Sequence, residues 1–398
     1  MKRFFALFFC VLLIGTDVYA CRKTVTPQQF GAKADGIHDD TKAIQEALNQ
    51  RGKIVFSDGT YLISSKLIIH SGTYLLGRKN AIIKQTGDTF ILYNEHSQSA
   101  TGIIDNGITV DGLILDGSMV DAKSEYAAGI YFCGVHNATV KNCRLIDIGG
   151  DGIYLGRGGK GIFCENVRIN NCTFTNCGRN ATNPRQSIAV VFAEKVKITK
   201  CVMSNTRKSS YAVDVEPNNP DEHCSVVVLG CRMIGCGISC GGHKSAKRSI
   251  TVKDCHIDCS ETENATLALL KTDALITGNE IVSNSKQNGV NVVGSPSVII
   301  KKNVIRGASA GVLIAEIADN VLVKSNRIMN CASGVYIMHS KEVAIMSNKI
   351  STKGNGVYVR MKSDGARVEK NEIESEKGQD VYSAEESVIT VRKNKRLR

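Results

Sequence analysis

Short runs of alternating apolar and polar residues fill most of this chain and return at a near-constant interval. Val321-Leu-Val-Lys-Ser-Asn326-Arg-Ile328 and Ala344-Ile-Met-Ser-Asn348-Lys-Ile350 show the unit: an alternating run, a pivot residue, then an apolar residue two places on. The pivots are Gly112, Cys143, Cys172, Cys201, Cys231, Cys255, Asn279, Asn303, Asn326, Asn348, Asn371 and Asn394. The first four steps are 31, 29, 29 and 30 residues, and the last seven are 24, 24, 24, 23, 22, 23 and 23. A period of this length marks a solenoid, and alternation with period two makes its units strands. The predicted architecture is an all-β solenoid, a single-stranded right-handed parallel β-helix.

In such a coil each pivot stacks about 4.8 Å above its counterpart. Inward Asn side chains can then hydrogen-bond along the stack and satisfy backbone amides at a buried bend. Cys fits the same slot as a small, buried, weakly polar group. At least five of the fifteen cysteines therefore read as ladder residues, and the odd total leaves a thiol unpaired in any disulfide scheme. Cys236, Cys240 and His243 come nearest to a zinc pattern, but the repeat already accounts for Cys240 as a strand residue, so no metal site is predicted.

The early coils are longer by about six residues each, and extra residues in a solenoid loop out on one face. A walled groove is expected between Gly112 and Cys231, and a compact scaffold from Asn279 onward.

Before the coils stands Phe30-Gly-Ala-Lys-Ala-Asp-Gly-Ile-His-Asp-Asp-Thr-Lys-Ala-Ile-Gln-Glu-Ala-Leu48. Ala43, Ile44, Ala47 and Leu48 share one helical face, which predicts a helix from about Asp40 to Asn49. Asp39 or Asp40 is its expected N-cap. Strands are expected at Lys53–Phe56 and Tyr61–Ile63, with a turn at Asp58-Gly59. The segment resembles the FGAxGDGxxDDT opening of the pectate lyase superfamily of β-helix proteins, with Ala34 where that opening has Gly. The resemblance covers nearly the whole chain after residue 20 and implies the β-helix fold. Its members include glycanases, lyases, epimerases and phage tail proteins, so it leaves the reaction open.

Met1-Lys-Arg, an apolar run from Phe4 to Gly15 and a small-residue site ending at Ala20 form the pattern of a cleaved export signal. The run is short for a transmembrane span. Cys21 follows directly, so a soluble exported form and a lipoprotein anchored through Cys21 both fit. The expected organisation is a signal peptide over residues 1–20, a cap over 21–66 and the β-helix over 67–398. A formal charge of +12 on an exported protein suits an acidic polymer, although lysines at turn corners account for much of it. No basic-aromatic reader motif points to nucleic acid.

Chemistry is read from the strand that follows each pivot. Rows such as Gly129-Ile-Tyr-Phe-Cys133, Gly152-Ile-Tyr-Leu-Gly156 and Ala212-Val-Asp-Val-Glu216 can be aligned, and side chains alternate between core and outer face. Most outward positions are neutral, but Asp214 and Glu216 fall together on the outer face. Residues at i and i+2 have Cα atoms about 6.6–7 Å apart. That separation suits the acid and base flanking a glycosidic bond, which lie about 6.5–9.5 Å apart in inverting enzymes and about 5–5.5 Å in retaining ones. Like charges this close should raise one pKa. Asp151, two turns below, is a third candidate for catalysis. Tyr154, Arg157, Asn218, His243, Lys244 and Lys271 are candidates for holding substrate.

Asp151-Gly152, Asp214, Gly242-His243 and Lys271 are similar in order to the site motifs of polygalacturonases. The coils hold no Asn-Thr-Asp, no adjacent Asp-Asp and no Gly-His-Gly, so the resemblance implies fold and substrate class rather than detailed mechanism.

Three functions fit. One is an exported glycoside hydrolase acting on an acidic polysaccharide through Asp214 and Glu216, with no cofactor. The second is a polysaccharide lyase or epimerase using a Lys, His or Tyr base, with Ca²⁺ held by Asp214 and Glu216. The third is a glycan-binding surface protein without catalysis.

Overall fold

A computed structural model describes residues 23–97, 102–120, 127–179, 184–205, 210–384 and 386–397. The expected signal peptide and Cys21 lie outside the described residues. Three parallel sheets of 18, 15 and 13 strands wrap one continuous apolar core. Each coil passes from sheet I through sheet II to sheet III; Thr139–Lys141, Arg144–Ile146 and Ile153–Gly156 are one such round. The right-handed parallel β-helix is the fold.

The bend from sheet I to sheet II explains the repeat. One residue turns left-handed, with φ between 52° and 57° at Asn142, Asn171, Lys200, Asp254, Lys302, Ser325, Ser347, Lys370 and Lys393. The next residue points inward and is the pivot. The bend breaks the regular ladder, so the pivot side chain takes over the bonding. Asn303 Nδ2 donates to the Ile276 carbonyl at 2.9 Å and to Asn326 Oδ1 at 2.9 Å. The Asn303 amide donates to the same Asn326 oxygen at 3.0 Å. The pattern runs from Asn279 to Asn394.

Below it the thiols copy the pattern. The Cys255 amide donates to Asn279 Oδ1 at 2.9 Å, and the amides of Cys231 and Cys201 donate to the sulfur above at 3.4 Å. All thirteen cysteines among the described residues are free and buried. Burial pushes up the thiol pKa of Cys164, Cys224, Cys236, Cys240 and Cys259, so these are packing groups, not nucleophiles. One pivot is displaced: Asp111 pairs with Lys141 and Ile114 with Arg144, so Leu113, not Gly112, fills the slot below Cys143.

The helix spans Thr41–Asn49 and buries Ile44, Ala47 and Leu48. Asp40 is the N-cap residue, as expected, but its side chain does not bond the first helical turn. Its carboxylate accepts instead from the amides of Lys33 and Ala34 at 2.7 and 2.9 Å. Asp39 accepts from the Thr41 amide at 2.9 Å and from Ser64 Oγ at 2.6 Å. The acidic pair therefore ties the glycine-rich loop to the first coils. Strands inside residues 24–63 already belong to sheets I and II, so coiling starts within the segment expected to be a separate cap.

Candidate functional site

The outer face of sheet III carries one continuous column. Register pairs Tyr93, Tyr131, Tyr154, Ala189, Asp214, Ser239, Ala268, Asn291, Leu313, Tyr336, Tyr358 and Tyr382 in order, one per coil. Tyrosines occupy both ends and small or neutral residues the middle. Asp214 is the only charged member. Its neighbours Val213 and Val215 are wholly buried, which fixes Asp214 on the outer face.

Asp214 is nonetheless only 6% exposed. Desolvation, reinforced by the charge of Glu216, pushes its carboxyl up to about 7; a hydrogen bond from Ser239 and the charge of Arg185 pull the other way. Glu216 opens to solvent, yet the atoms around its carboxylate still raise its pKa by desolvation, with Asp151 adding to the rise and Arg185 opposing it. The two groups are therefore inequivalent: one buried and readily protonated, one at the mouth of the site.

Asp151 is brought to the pair, and its carboxylate is engaged. It accepts from Arg185 Nη2 at 2.8 Å, Arg185 Nε at 3.3 Å and the Gln186 amide at 3.0 Å. Gln186 Oε1 in turn accepts from the Tyr211 amide at 2.6 Å. This chain locks three successive coils together where they enter sheet III. Arg185 and Tyr211 were missed by the sequence reading. Both sit in turns between sheets II and III, where no periodic signal marks a residue. Burial and the nearby Asp214 raise the Tyr211 pKa.

Tyr154 stacks face to face on Tyr131, with centroids 4.6 Å apart, and Tyr131 on Tyr93 at 5.5 Å. The Tyr154 ring lies across Gly156, where a Cβ would sit 2.2 Å from a ring carbon. Desolvation drives the pKa of Tyr131 and Tyr154 upward.

Arg157, expected to hold substrate, is committed within the protein. It donates to Glu222 Oε1 and Asp221 Oδ1, each at 2.9 Å, and packs 4.7 Å over the Phe192 ring. Glu222 is 2% exposed and also accepts from the amides of Asn218 and Asn219 at 2.6 and 3.0 Å. Arg157 and Glu222 thus fasten the loop that follows Glu216. Asn218 is held there by its backbone, with its side chain exposed.

The next loop stacks on this one. The His243 amide donates to the Pro217 carbonyl at 2.7 Å, and Gly242, at φ +94°, has no room for a Cβ because Pro217 O would lie 2.4 Å away. Arg248, 5% exposed, braces the same loop through the carbonyls of His243 at 2.9 Å and Leu270 at 3.0 Å. Lys244 is exposed. Lys271 lines a recess with Glu194, His223, Lys247 and Asp273 at the corner toward sheet I, so it is not brought to the carboxylate pair.

The extra residues of the early coils fall on both edges of sheet III rather than one. The turns at 147–152 and 176–187 flank one edge, and those at 157–163 and 216–222 the other. Residues 180–183 of these turns, and 121–126 and 206–209 of the turns in neighbouring coils, lie outside the described residues.

Among the described residues, Glu95, His96 and Asp105 form the one group of three side chains close enough to share a metal ion. The Asp105 oxygens are already filled by Ser71, Asn94 and His96 donors at 2.8–3.0 Å. This knot holds the first coils together and contributes nothing to the Asp214 column.

The rhamnogalacturonase A/epimerase, pectate lyase-like family model matches residues 25–116. The right handed beta helix region model matches 105–281, and the periplasmic copper-binding protein (NosD) model matches 229–395. No curated protein matches. Among solved structures, the Azotobacter vinelandii mannuronan C-5 epimerase AlgE6 A-module is 15% identical with TM-score 0.58, covering 94% of this chain and 99% of its own. PfbA, a surface adhesin of Streptococcus pneumoniae, is 17% identical with TM-score 0.57, over 94% and 89%. The pre-mature bacteriophage phi29 gene product 12 is 14% identical with TM-score 0.61, over 91% and 57%. The chain folds as a right-handed parallel β-helix, and its first coils are similar to the pectate lyase-like family model. Identities this low carry the fold and leave the reaction to the site.

Proposed function

We propose that the protein is an exported glycoside hydrolase that cleaves an acidic polysaccharide lying along sheet III. The observation that carries this reading is the inequivalence of Asp214 and Glu216. A carboxyl with a pKa of about 7 is still protonated in about half of the molecules at pH 7 and can deliver that proton to the leaving oxygen, as a general acid must. Glu216, at the mouth and under the pull of Arg185, supplies the second carboxylate on the same face. It activates water or attacks the anomeric carbon directly, and the two geometries separate inversion from retention. Asp151 acts as a positioning residue that holds Arg185 beside both groups. Export agrees with the NosD and adhesin likenesses and with the leader pattern. No described helix is long and apolar enough to cross a membrane.

Elimination or epimerisation fits less well. Both need a base beside a uronate carboxylate. The tyrosines near the pair, Tyr154 and Tyr211, are pushed toward the protonated phenol. Ca²⁺ held by Asp214 and Glu216 would need both ionised, against the burial of Asp214.

The test is to incubate purified protein with a panel of acidic polysaccharides, following new reducing ends and the ultraviolet absorbance of unsaturated uronides together. Reducing ends without the chromophore, lost at least about a thousandfold in Glu216→Gln with the fold intact, are expected. The chromophore, or full activity in Glu216→Gln, would overturn the assignment.

A further inference from the structure

The column that carries Asp214 does not end at the site. Ser239, Ala268, Asn291 and Leu313 continue it as a low, half-buried track. Five rungs above Asp214 it becomes aromatic again, at Tyr336, Tyr358 and Tyr382. Tyr336 stacks on Tyr358 with centroids 4.8 Å apart and an interplanar angle of 11°, and Tyr382 meets Tyr358 edge-on at 5.2 Å. Arg360 lies on the same strand, its guanidinium 5.9 Å from the Tyr358 centroid and its Nη1 3.5 Å from the Tyr358 hydroxyl.

The two aromatic ends differ. In the lower ladder Tyr93 is only 7% exposed, and Phe90 packs on Tyr93 and Tyr131. The upper ladder stands open, with Tyr382 at 36%. Tyr336 and Tyr358 are half-buried and Tyr382 is exposed, so the upper stack ends in solvent where the lower one ends under cover.

We propose that Tyr336, Tyr358, Tyr382 and Arg360 form a distal subsite that grips the same acidic glycan chain cleaved at Asp214 and Glu216. Rungs repeat about every 4.8 Å, close to the length one pyranose ring adds to an extended chain. An axial glycan can therefore place one sugar per coil over Ser239, Ala268, Asn291 and Leu313, all uncharged members of the column. Five rungs put Tyr336 about 24 Å from Asp214. Aromatic faces take the apolar C–H face of a sugar ring, and a guanidinium pairs with a uronate carboxylate in bidentate fashion. This inference rests on the hydrolase reading for its occupant and makes a long, acidic, internally cleaved chain the preferred substrate.

The experiment compares the wild type, the double variant Tyr336→Ala/Tyr358→Ala, and Arg360→Met on one acidic glycan in two sizes. One size is too short to span five rungs and the other is polymeric. The subsite predicts that kcat/KM on the polymer falls about tenfold or more through KM, with the short oligosaccharide unaffected. Arg360→Met should show the same length dependence on the acidic polymer and none on its carboxyl-reduced form. Binding is measured separately, by retardation of Glu216→Gln in gels containing the polymer, with and without the tyrosine substitutions. Equal losses at both lengths, or no loss at either, overturn the subsite while leaving the hydrolase reading standing. A wild type that neither cleaves nor is retarded by any acidic polymer removes both. Retardation that depends on the tyrosines, in a protein that cleaves nothing, keeps the subsite and removes the hydrolase.

Discussion

The sharpest consequence of the site is that Asp214 should make the protein less stable as pH rises, and that Asp214→Asn should abolish the effect. Its pKa is raised from 3.8 to about 7, so the folded state holds the proton more tightly than the unfolded chain. The sign follows: the stability linked to this group is fully present below pH 3.8 and is lost as pH climbs to about 7, with little change beyond. Integrating the linkage, Asp214 costs the folded state about 0.6 kcal/mol at pH 4 and about 4 kcal/mol above pH 8 relative to a group that cannot ionise. Relaxation and water entry reduce such penalties in real proteins, so about 2–4 kcal/mol is the expected plateau. Asparagine keeps the shape and can still accept from Ser239, so the substitution removes the charge and little else. A solenoid can open coil by coil, and the readout should be local. Hydrogen exchange at the amides of 213–215, measured from pH 4.5 to 8.5 in both proteins and corrected for intrinsic exchange, gives the opening free energy directly. The variant should match the wild type near pH 4 and pull ahead steadily to about pH 7.5. A difference that stays flat within about 0.5 kcal/mol across that range would refute the raised pKa, and with it the choice of Asp214 as the acid.

The remaining predictions test the supports of the site and of the coil. Arg185→Met removes the cation that lowers both Asp214 and Glu216, so both limbs of the pH–rate profile should move to higher pH; an unmoved profile would sever Arg185 from the pair. Glu222→Ala deprives Arg157 and two backbone amides of their acceptor and should cost about 3 kcal/mol in local stability, read as raised exchange at Asn218 and Asn219 and a raised KM. Asn326→Ala leaves the Asn303 amide and the Ile300 carbonyl unpaired and should cost about 2–4 kcal/mol. Asn326→Cys should cost less, because Cys231 and Cys255 fill the equivalent slot in lower coils; equal losses from Ala and Cys would contradict the interchangeable ladder.

The fold could be read from the chain because a solenoid repeats one local problem. Each bend from sheet I to sheet II needs a left-handed residue and then an inward side chain that can both accept and donate. The second requirement admits Asn and tolerates Cys, so it leaves a visible period. The slip at Gly112 shows where that reading is weak. Glycine satisfies the left-handed position itself, so it was aligned with the pivots when it occupies the residue before one. The N-cap was legible as a position, at Asp40, but not in what its side chain binds. The run before a helix favours capping, and only the tertiary fold shows Asp40 bound to the amides of Lys33 and Ala34 instead.

The site was legible on the strand and opaque in the turns. Asp214 could be placed on the outer face because its flanking valines obey period two, and the same alignment set Tyr154 two coils below it. Arg185, Tyr211 and Glu222 have no such frame, since an inserted turn has no register until it folds. Arg157 shows the same gap from the other side: its position near the groove is right, but its charge is spent on Asp221 and Glu222. The physical distinction is between positions fixed by backbone periodicity and positions fixed by pairing across coils. Asp214 and the two tyrosine stacks belong to the first kind and form a single line; the ion pairs belong to the second and hold its walls. A substrate that follows the line meets every strand-borne group in turn, which is why chain length, more than sugar identity, should be the strongest determinant of how well this protein binds its polymer.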